Sequence, residues 1–259
     1  MNTINGYIEI NGDIYKITSI SDFHHIMDSL GQKITEKTKE DFEKLTSTVG
    51  KSDAAKVDDC EVLYSNNCLV EARASMEQYK VKEGTKVICS RALLSCRRNG
   101  SVFLKTPVNI NKVTLPITLL AIGEEAFLNN RVETIIFYNN IQYIGKKAFS
   151  GCWRLKFPLL RLPKKLRYLE AEAFQGCSKI DSVIFGDEIK EIGSHAFRGC
   201  DALKTVYIPN SIENIGSGIF DNCSQLKNIF IPKGTKSKFA ELFPFDTEKL
   251  FEVEENGSL

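Results

Sequence analysis

The 259-residue sequence is short of the features that would assign it to the commoner chemistries. It has no excess of one charge: 34 Lys and Arg stand against 33 Asp and Glu, so no overall basic field is available to hold a nucleic acid backbone. No run approaches the roughly 20 uncharged apolar residues that a membrane helix requires. The opening residues, Met1-Asn2-Thr3-Ile4-Asn5-Gly6, have neither the basic nor the apolar segment of a secretion signal. As written, the chain carries no secretion signal, and its location stays open: cell surface or secreted if a leader was trimmed, otherwise cytoplasmic. Histidine is scarce, at three residues, and the eight cysteines include no CxxC pair, which argues against a metal site. Gly50-Lys51-Ser52 ends like a phosphate-binding loop, but Leu45 stands where that loop needs its first glycine. No cofactor is expected.

What the sequence does have is a period. One phrase, plainest as Ile192-Gly193-Ser194-His195-Ala196-Phe197-Arg198-Gly199-Cys200, returns with its phenylalanine at 127, 149, 174, 197 and 220. Steps of 22, 25, 23 and 23 residues identify a solenoid, whose units cannot bury an apolar face alone and share a core with their neighbours. Regular copies run over 110–131, 132–154, 155–179, 180–202 and 203–225, with a partial copy from Leu226. Each opens on a short strand, as in Leu203-Lys204-Thr205-Val206-Tyr207-Ile208-Pro209, which proline closes because it cannot extend a ladder. A second apolar pair follows, such as Ile212 and Ile215, then a glycine permitting the turn. The two residues before the Ala-Phe pair are Glu-Glu, Lys-Lys, Ala-Glu and Ser-His in successive copies; this indifference to charge reads as a solvated turn.

Repeat phase also accounts for most of the cysteines. Cys96, Cys152, Cys177, Cys200 and Cys223 follow Leu93, Phe149, Phe174, Phe197 and Phe220 by three residues each. They form one column of small, easily buried side chains, expected to be reduced and structural, since a bridge needs specific geometry and an oxidising compartment. Cys60, Cys68 and Cys89 lie outside the column.

Residues 1–50 do not share the period. They read as an accessory or cap domain: a hairpin of Tyr7–Ile10 and Asp13–Ile17 about Asn11-Gly12, then a helix through Leu30 and a second one with Phe42 and Leu45 on one face. Such a cap is expected to cover the open end of the solenoid. Residues 51–59 read as a linker, and 60–259 as the solenoid with its C-terminal cap. From Cys60 to Cys96 the repeat is degenerate, with two short strands about Asn66-Asn67, and an excursion is expected near Arg97 to Val108.

The unit Leu-x-x-Val-x-Ile-Pro followed by Ile-x-x-Ile-Gly-x-x-Ala-Phe-x-x-Cys resembles the BspA-type leucine-rich repeat over roughly Cys60 to Pro244. The ending, Ile229 to Thr235 with Phe239 and Phe243-Pro244-Phe245, looks like the C-terminal cap of such proteins. The resemblance implies a mainly β, right-handed curved solenoid with short turns and 3-10 segments. It also implies protein recognition or adhesion at the surface of host-associated bacteria, with a host or extracellular-matrix protein as partner. An intracellular scaffold and a secreted effector are the alternatives. Glu170 replaces the column's Gly, Ile219 its Ala and Asn130 its Cys, and the third copy carries two extra residues around Pro158; these departures bear on local turns only.

Catalysis finds little support. His24-His25, with Asp22 and Asp28 nearby, could serve an acid–base or metal site, making a small enzyme of residues 1–50 the rival from another class; a pair on an amphipathic helix is the plainer reading. Ser194-His195 points two neighbours in different directions. Asn99, Asn222 and Asn256 fit the N-glycan pattern, which matters only after passage through an endoplasmic reticulum.

The sharper candidate is the residue between the second and third apolar anchors of each strand, which must project away from the core. Those positions hold Thr114, Ile136, Arg161, Ile184, Tyr207 and Phe230. Their outward neighbours are Lys112, Thr134, Leu159, Ser182, Thr205 and Asn228. A stripe with four apolar or aromatic residues in six has the composition of a contact surface. Ile136, Arg161, Ile184, Tyr207 and Phe230 are therefore the expected partner-binding residues. The N-terminal element or a second protomer covering the stripe, or plain β propensity, would account for it otherwise.

Overall fold

In the computed structural model, residues 6–10, 13–17, 39–47, 56–65, 67–72, 74–94, 108–243 and 247–254 are described. The periodic segment winds into a mainly β solenoid of about seven turns. Each coil contributes to two parallel ladders. The second ladder is a nine-stranded sheet that ends in the two-residue strands Val87–Ile88, Ala121–Ile122, Tyr143–Ile144, Tyr168–Leu169, Glu191–Ile192 and Asn214–Ile215. The first ladder comes in two pieces. Met76–Lys80, Ile110–Thr114 and Thr134–Ile136 form one sheet; Leu160–Arg161, Ser182–Ile184, Thr205–Tyr207, Asn228–Pro232 and Leu250–Val253 form the other. The break falls at the two extra residues around Pro158: Lys156–Phe157 pairs only with Lys179–Ile180, and the ladder resumes at Leu160. Proline has no N–H to give a ladder, so the chain leaves the sheet there.

The core lies between the ladders, and the phenylalanine column is its spine. Phe127, Phe149, Phe174 and Phe197 are fully buried, and successive rings stack at 4.9, 5.1 and 5.3 Å with planes within 12°. Phe220 continues the column and stacks on Phe243 at 6.0 Å. Each buried Phe contributes about 1.5–3 kcal/mol of transfer energy, and each ring pair about 0.5–1.5 kcal/mol beyond area. Leu93 holds the same place one coil earlier, its N–H bonded to the carbonyl of Ala126 as that of Phe127 is to Ala148.

The cysteine column explains itself in the same way. Cys152, Cys177, Cys200 and Cys223 are free thiols, and each S–H donates to the carbonyl of the Phe in the preceding coil, at 3.0 to 3.3 Å. Burial pushes the Cys152 thiol up to about 12 and raises Cys177 and Cys200 well above the usual range, so these thiols keep the proton they donate. Asn130, in the cysteine place of its coil, makes the same bond with its amide: Nδ2 donates to Leu93 O at 2.8 Å. It also donates to Val108 O at 3.0 Å, while Oδ1 accepts from the N–H of Ile110 at 3.1 Å. Cys96 and the excursion over 97–107 lie outside the described residues.

The turns differ from the sequence expectation in two respects. The glycine column serves close approach rather than turn freedom, because a Cβ on Gly193 or Gly216 would stand 2.2 Å from a backbone nitrogen of the preceding coil. The conformational demand falls instead on the residue before the Ala. Arg91, Glu125, Lys147, Glu172 and His195 all have φ between 53° and 62°, and Gly218 shares the position. The charges there are also not indifferent, since Arg91, Glu125, Lys147 and Glu172 alternate in sign. Arg91 pairs with Glu125 at 2.8 Å and Lys147 with Glu172 at 3.5 Å.

At the N-terminal end the solenoid is closed by antiparallel strands, the two expected between Cys60 and Val70 among them. Lys56–Val57 pairs with Val62–Ser65, which pairs with Cys68–Ala72, and only the last joins the parallel ladder. A hydroxyl chain ties this closure to the first ladder. Tyr79 donates to Asp58 Oδ2 at 2.6 Å, Tyr64 stands 2.5 Å from the Tyr79 hydroxyl, and Lys82 N donates to Tyr64 at 3.2 Å. Partial burial works against the Asp58 charge, yet the bonds from Tyr79, Val62 N and Cys60 N hold its carboxyl below the usual 3.8. At the other end, helix α2 (Lys236–Leu242) buries Phe239 beside Phe243.

The hairpin forms between Gly6–Ile10 and Asp13–Ile17, with Ile10 opposite Asp13. His24, His25 and the first expected helix lie outside the described residues. The expected second helix is present as α1 (Lys39–Ser47). It does not lie over the open end. Phe42 stacks on Tyr143 at 5.4 Å and 10° and meets Tyr168 at 6.2 Å, which puts the helix on the flank of the second ladder, against coils in the middle of the molecule.

Candidate functional site

The apolar anchors Val183, Val206 and Ile229 turn inward and are buried, which leaves Ile184, Tyr207 and Phe230 on the outer face, half-buried. Strand register then makes a row of them. Arg161 pairs with Ile184, Ile184 with Tyr207, and Tyr207 with Phe230. Four of the five expected site residues therefore share one continuous track. Ile136, 56% exposed, also faces outward but belongs to the other sheet, next to Thr114. The break at Pro158 separates it from the track.

Beside this track runs a polar one, Ser182, Thr205 and Asn228 in register. Tyr207 and Phe230 stack at 4.7 Å and 24°. The track ends in a residue that sequence reasoning missed: Phe251 pairs with Phe230, is 44% exposed and lies 6.1 Å from it, ring to ring. Its signal was the alternation Leu250-Phe251-Glu252-Val253, obscured because that strand follows α2 and carries none of the repeat phrase. Arg161, Ile184, Tyr207 and Phe230 form the floor of an open groove of about 730 Å³, walled by the residues that follow each strand, among them Lys164, Asp187, Pro209 and Glu254. Arg161 and Lys164 lie at one end of it. Glu254 lies at the other, paired to Lys233.

The outer face of the second ladder is occupied. Ala121, Tyr143 and Phe42 are buried together. Lys39 on α1 reaches Glu170 at 3.1 Å and Glu191 at 3.9 Å, so the residue that breaks the glycine column is the one that receives the helix. Burial pushes the Glu170 carboxyl up against the pull of Lys39, with Glu43 and Glu191 adding to the rise. Lys39 is partly buried, which works against its charge, but Glu170 and the neighbouring glutamates hold it above its usual value. Tyr143 is likewise raised, first by burial.

Other candidates offer less. His195 faces Asp221 at 3.6 Å on the surface, with no nucleophile bonded to it among the described residues. Trp153 is exposed, but Arg154 and Lys179 already lie 5.5 and 5.8 Å from its ring. Among the described residues no group of three or more His, Cys, Asp and Glu could hold a metal ion. No helix of the described residues is long and apolar enough to cross a membrane.

No curated protein matches the chain. Among solved structures, a leucine rich cell surface protein from Faecalibacterium prausnitzii is 18% identical with a TM-score of 0.49, over 70% of this chain and 55% of that one. The leucine-rich repeat protein of T. pallidum is 20% identical with a TM-score of 0.42, over 71% of each chain. The pneumococcal vaccine antigen PcpA is 17% identical with a TM-score of 0.44, over 79% of this chain and 48% of that one. The chain thus spans about half the length of the first and third. The family model described as BspA type leucine rich repeat region (6 copies) matches residues 97–158 and 153–254, a family of non-enzymatic repeat proteins with a protein-interaction role. The phenylalanine spine, the thiol column and this match together show that the chain belongs to the BspA-type leucine-rich repeat family.

Proposed function

We propose that the chain is a non-catalytic recognition module that binds a protein partner through the outer face of its first ladder, in the groove over Arg161, Ile184, Tyr207 and Phe230, with Phe251 continuing the row beside it. The observation that carries this reading is the row itself. Its aromatic side chains lie in register on a sheet face that no helix covers among the described residues, although a side chain on the surface of a strand could as readily be Thr or Lys. Aromatic residues and arginine are the types that dominate interface energies when a partner excludes water from them. Adhesion to a host or extracellular-matrix protein is the particular role that the family suggests, and a second copy of the chain is the alternative occupant.

The test is capture by the full chain and by a Tyr207→Ser, Phe230→Ser double variant, against immobilised matrix proteins and in analytical ultracentrifugation for self-association. The variant is expected to keep its thermal midpoint within a few degrees and to lose binding at least tenfold. Undiminished binding by a folded double variant would place the interface elsewhere.

A further inference from the structure

Beyond the strand face, we propose a second contact surface: the flank where each coil turns into its first strand binds the anionic lipid surface of a membrane, around Trp153, Lys156 and Lys179. Charge is the first observation. Between the cysteine place of each coil and its strand, from Arg131 to Lys227, stand Arg131, Arg154, Lys156, Lys179, Lys204 and Lys227 against Glu133, Asp181 and Asp201. Six cations thus face three anions on one flank of a chain whose net charge is +1. Two of the acids are already paired, Glu133 with Arg154 at 3.0 Å and Asp181 with Lys204 at 3.3 Å. Among the described residues Arg131, Lys156, Lys179 and Lys227 meet no carboxylate at ion-pair distance. Lys156 and Lys179 are moreover direct partners in register, on strands ~4.8 Å apart. Like charges placed so repel, and an anion laid over them removes that cost.

Exposed apolar side chains select the occupant. Among the described residues six large hydrophobic ones are exposed, and three of them, Ile136, Trp153 and Leu159, fall on the stretch that joins the two strands flanking the break at Pro158. Trp153 is 51% exposed, with Arg154 and Lys179 at 5.5 and 5.8 Å from its ring. A sulfated glycan or a nucleic acid would answer the cations, but it offers Ile136 and Leu159 nothing apolar. A lipid leaflet with anionic headgroups answers both: it attracts clustered Lys and Arg, and indole rings settle at its headgroup level.

Trp153 is the only tryptophan of the chain, so its emission reads the contact directly. The full chain is sedimented with vesicles of phosphatidylcholine, alone or with a third of phosphatidylserine. Binding is expected to the anionic vesicles only, with a blue shift of the emission, and is expected to vanish in high salt. A Lys156→Glu, Lys179→Glu variant should bind at least tenfold more weakly, since each cation near an anionic leaflet is worth about fivefold. Should that variant fail a circular dichroism check of folding, Lys156→Gln, Lys179→Gln repeats the test without reversing charge, with a loss of at least fivefold expected. The Tyr207→Ser, Phe230→Ser variant should bind vesicles as the full chain does, which separates this surface from the strand face; loss of vesicle binding there would move the contact to that face and overturn the assignment. No binding, equal binding to neutral vesicles, or binding unmoved by the lysine variants would overturn it as well. So would capture by heparin in place of vesicles, which gives the flank to a soluble polyanion, or sedimentation without a shift in emission, which puts the contact away from Trp153.

Discussion

The two ladders are built by the same coils, yet their outer faces are finished differently. On the second, the outward residues Ala121, Tyr143 and Tyr168 are packed against Phe42 of α1. On the first, Ile184, Tyr207 and Phe230 are left half-exposed, and among the described residues no helix lies on them. Among the described residues, then, one aromatic row has a cover and the other has none. A half-exposed aromatic row has the composition of a contact surface, which is the face the proposed partner would cover.

The comparison can be broken or sharpened at four points. The largest effect is expected in the core that both faces share. Phe197→Ala removes a ring stacked on Phe174 and tilted against Phe220, and should cost about 3–5 kcal/mol, read as a drop in the urea midpoint. Phe42→Ala strips the covered face, losing about 1.5–3 kcal/mol of burial; the check is faster hydrogen exchange at Ser90, whose N–H is bonded to Thr46 O, with the parallel coils still protected. If exchange stayed slow, α1 would be held by something other than its aromatic contact. The Tyr207→Ser, Phe230→Ser variant on the bare face should cost less stability than Phe42→Ala, about 0.5–1.5 kcal/mol for the lost ring stack, while weakening association. Equal losses of stability for the two faces would remove the distinction.

The smallest effect concerns the ion pair under α1. Glu170 has its folded value raised, first by burial, so the folded state holds this proton more tightly than the unfolded one. Its contribution to stability is then present below the ordinary value of 4.5 and is lost as pH rises through the folded one. Glu170→Gln should leave stability at pH 7 unchanged or raised by less than about 1 kcal/mol, as for a buried ion pair whose desolvation outweighs its attraction. Asp58 provides the opposite sign for comparison. Its lowered value gives stability that is present above pH 3.8 and lost as pH falls through the folded value, a dependence that Asp58→Asn removes. Thermal midpoints between pH 3 and 7 separate the two.

The regular coils were legible because their requirements repeat: a ring at every coil, a thiol three residues later and a glycine where a Cβ would meet backbone. The direction of each strand residue was equally plain, and Arg161, Ile184, Tyr207 and Phe230 fall in one row for that reason. What could not be read were interactions made once. Asn130 and Glu170 looked like lapses in a column, and only the fold shows that one replaces a thiol's hydrogen bond and the other receives a helix. The outward tyrosines 143 and 168 sat in short strands with no distinguishing pattern. The left-handed position before each Ala is occupied by Arg, Glu, Lys and His, and none of these residues announces a positive φ.

Asn130 has a consequence for what this scaffold could be made to carry. Its one amide holds the carbonyl of Leu93, where the chain leaves the coil, and both the carbonyl of Val108 and the N–H of Ile110, where it returns. Among the described residues the two stems meet at this single side chain, so insertions between Leu93 and Val108 are expected to leave the coils folded, at a closure cost that grows only with the logarithm of loop length. Asn130 is the latch that such an insertion would leave in place.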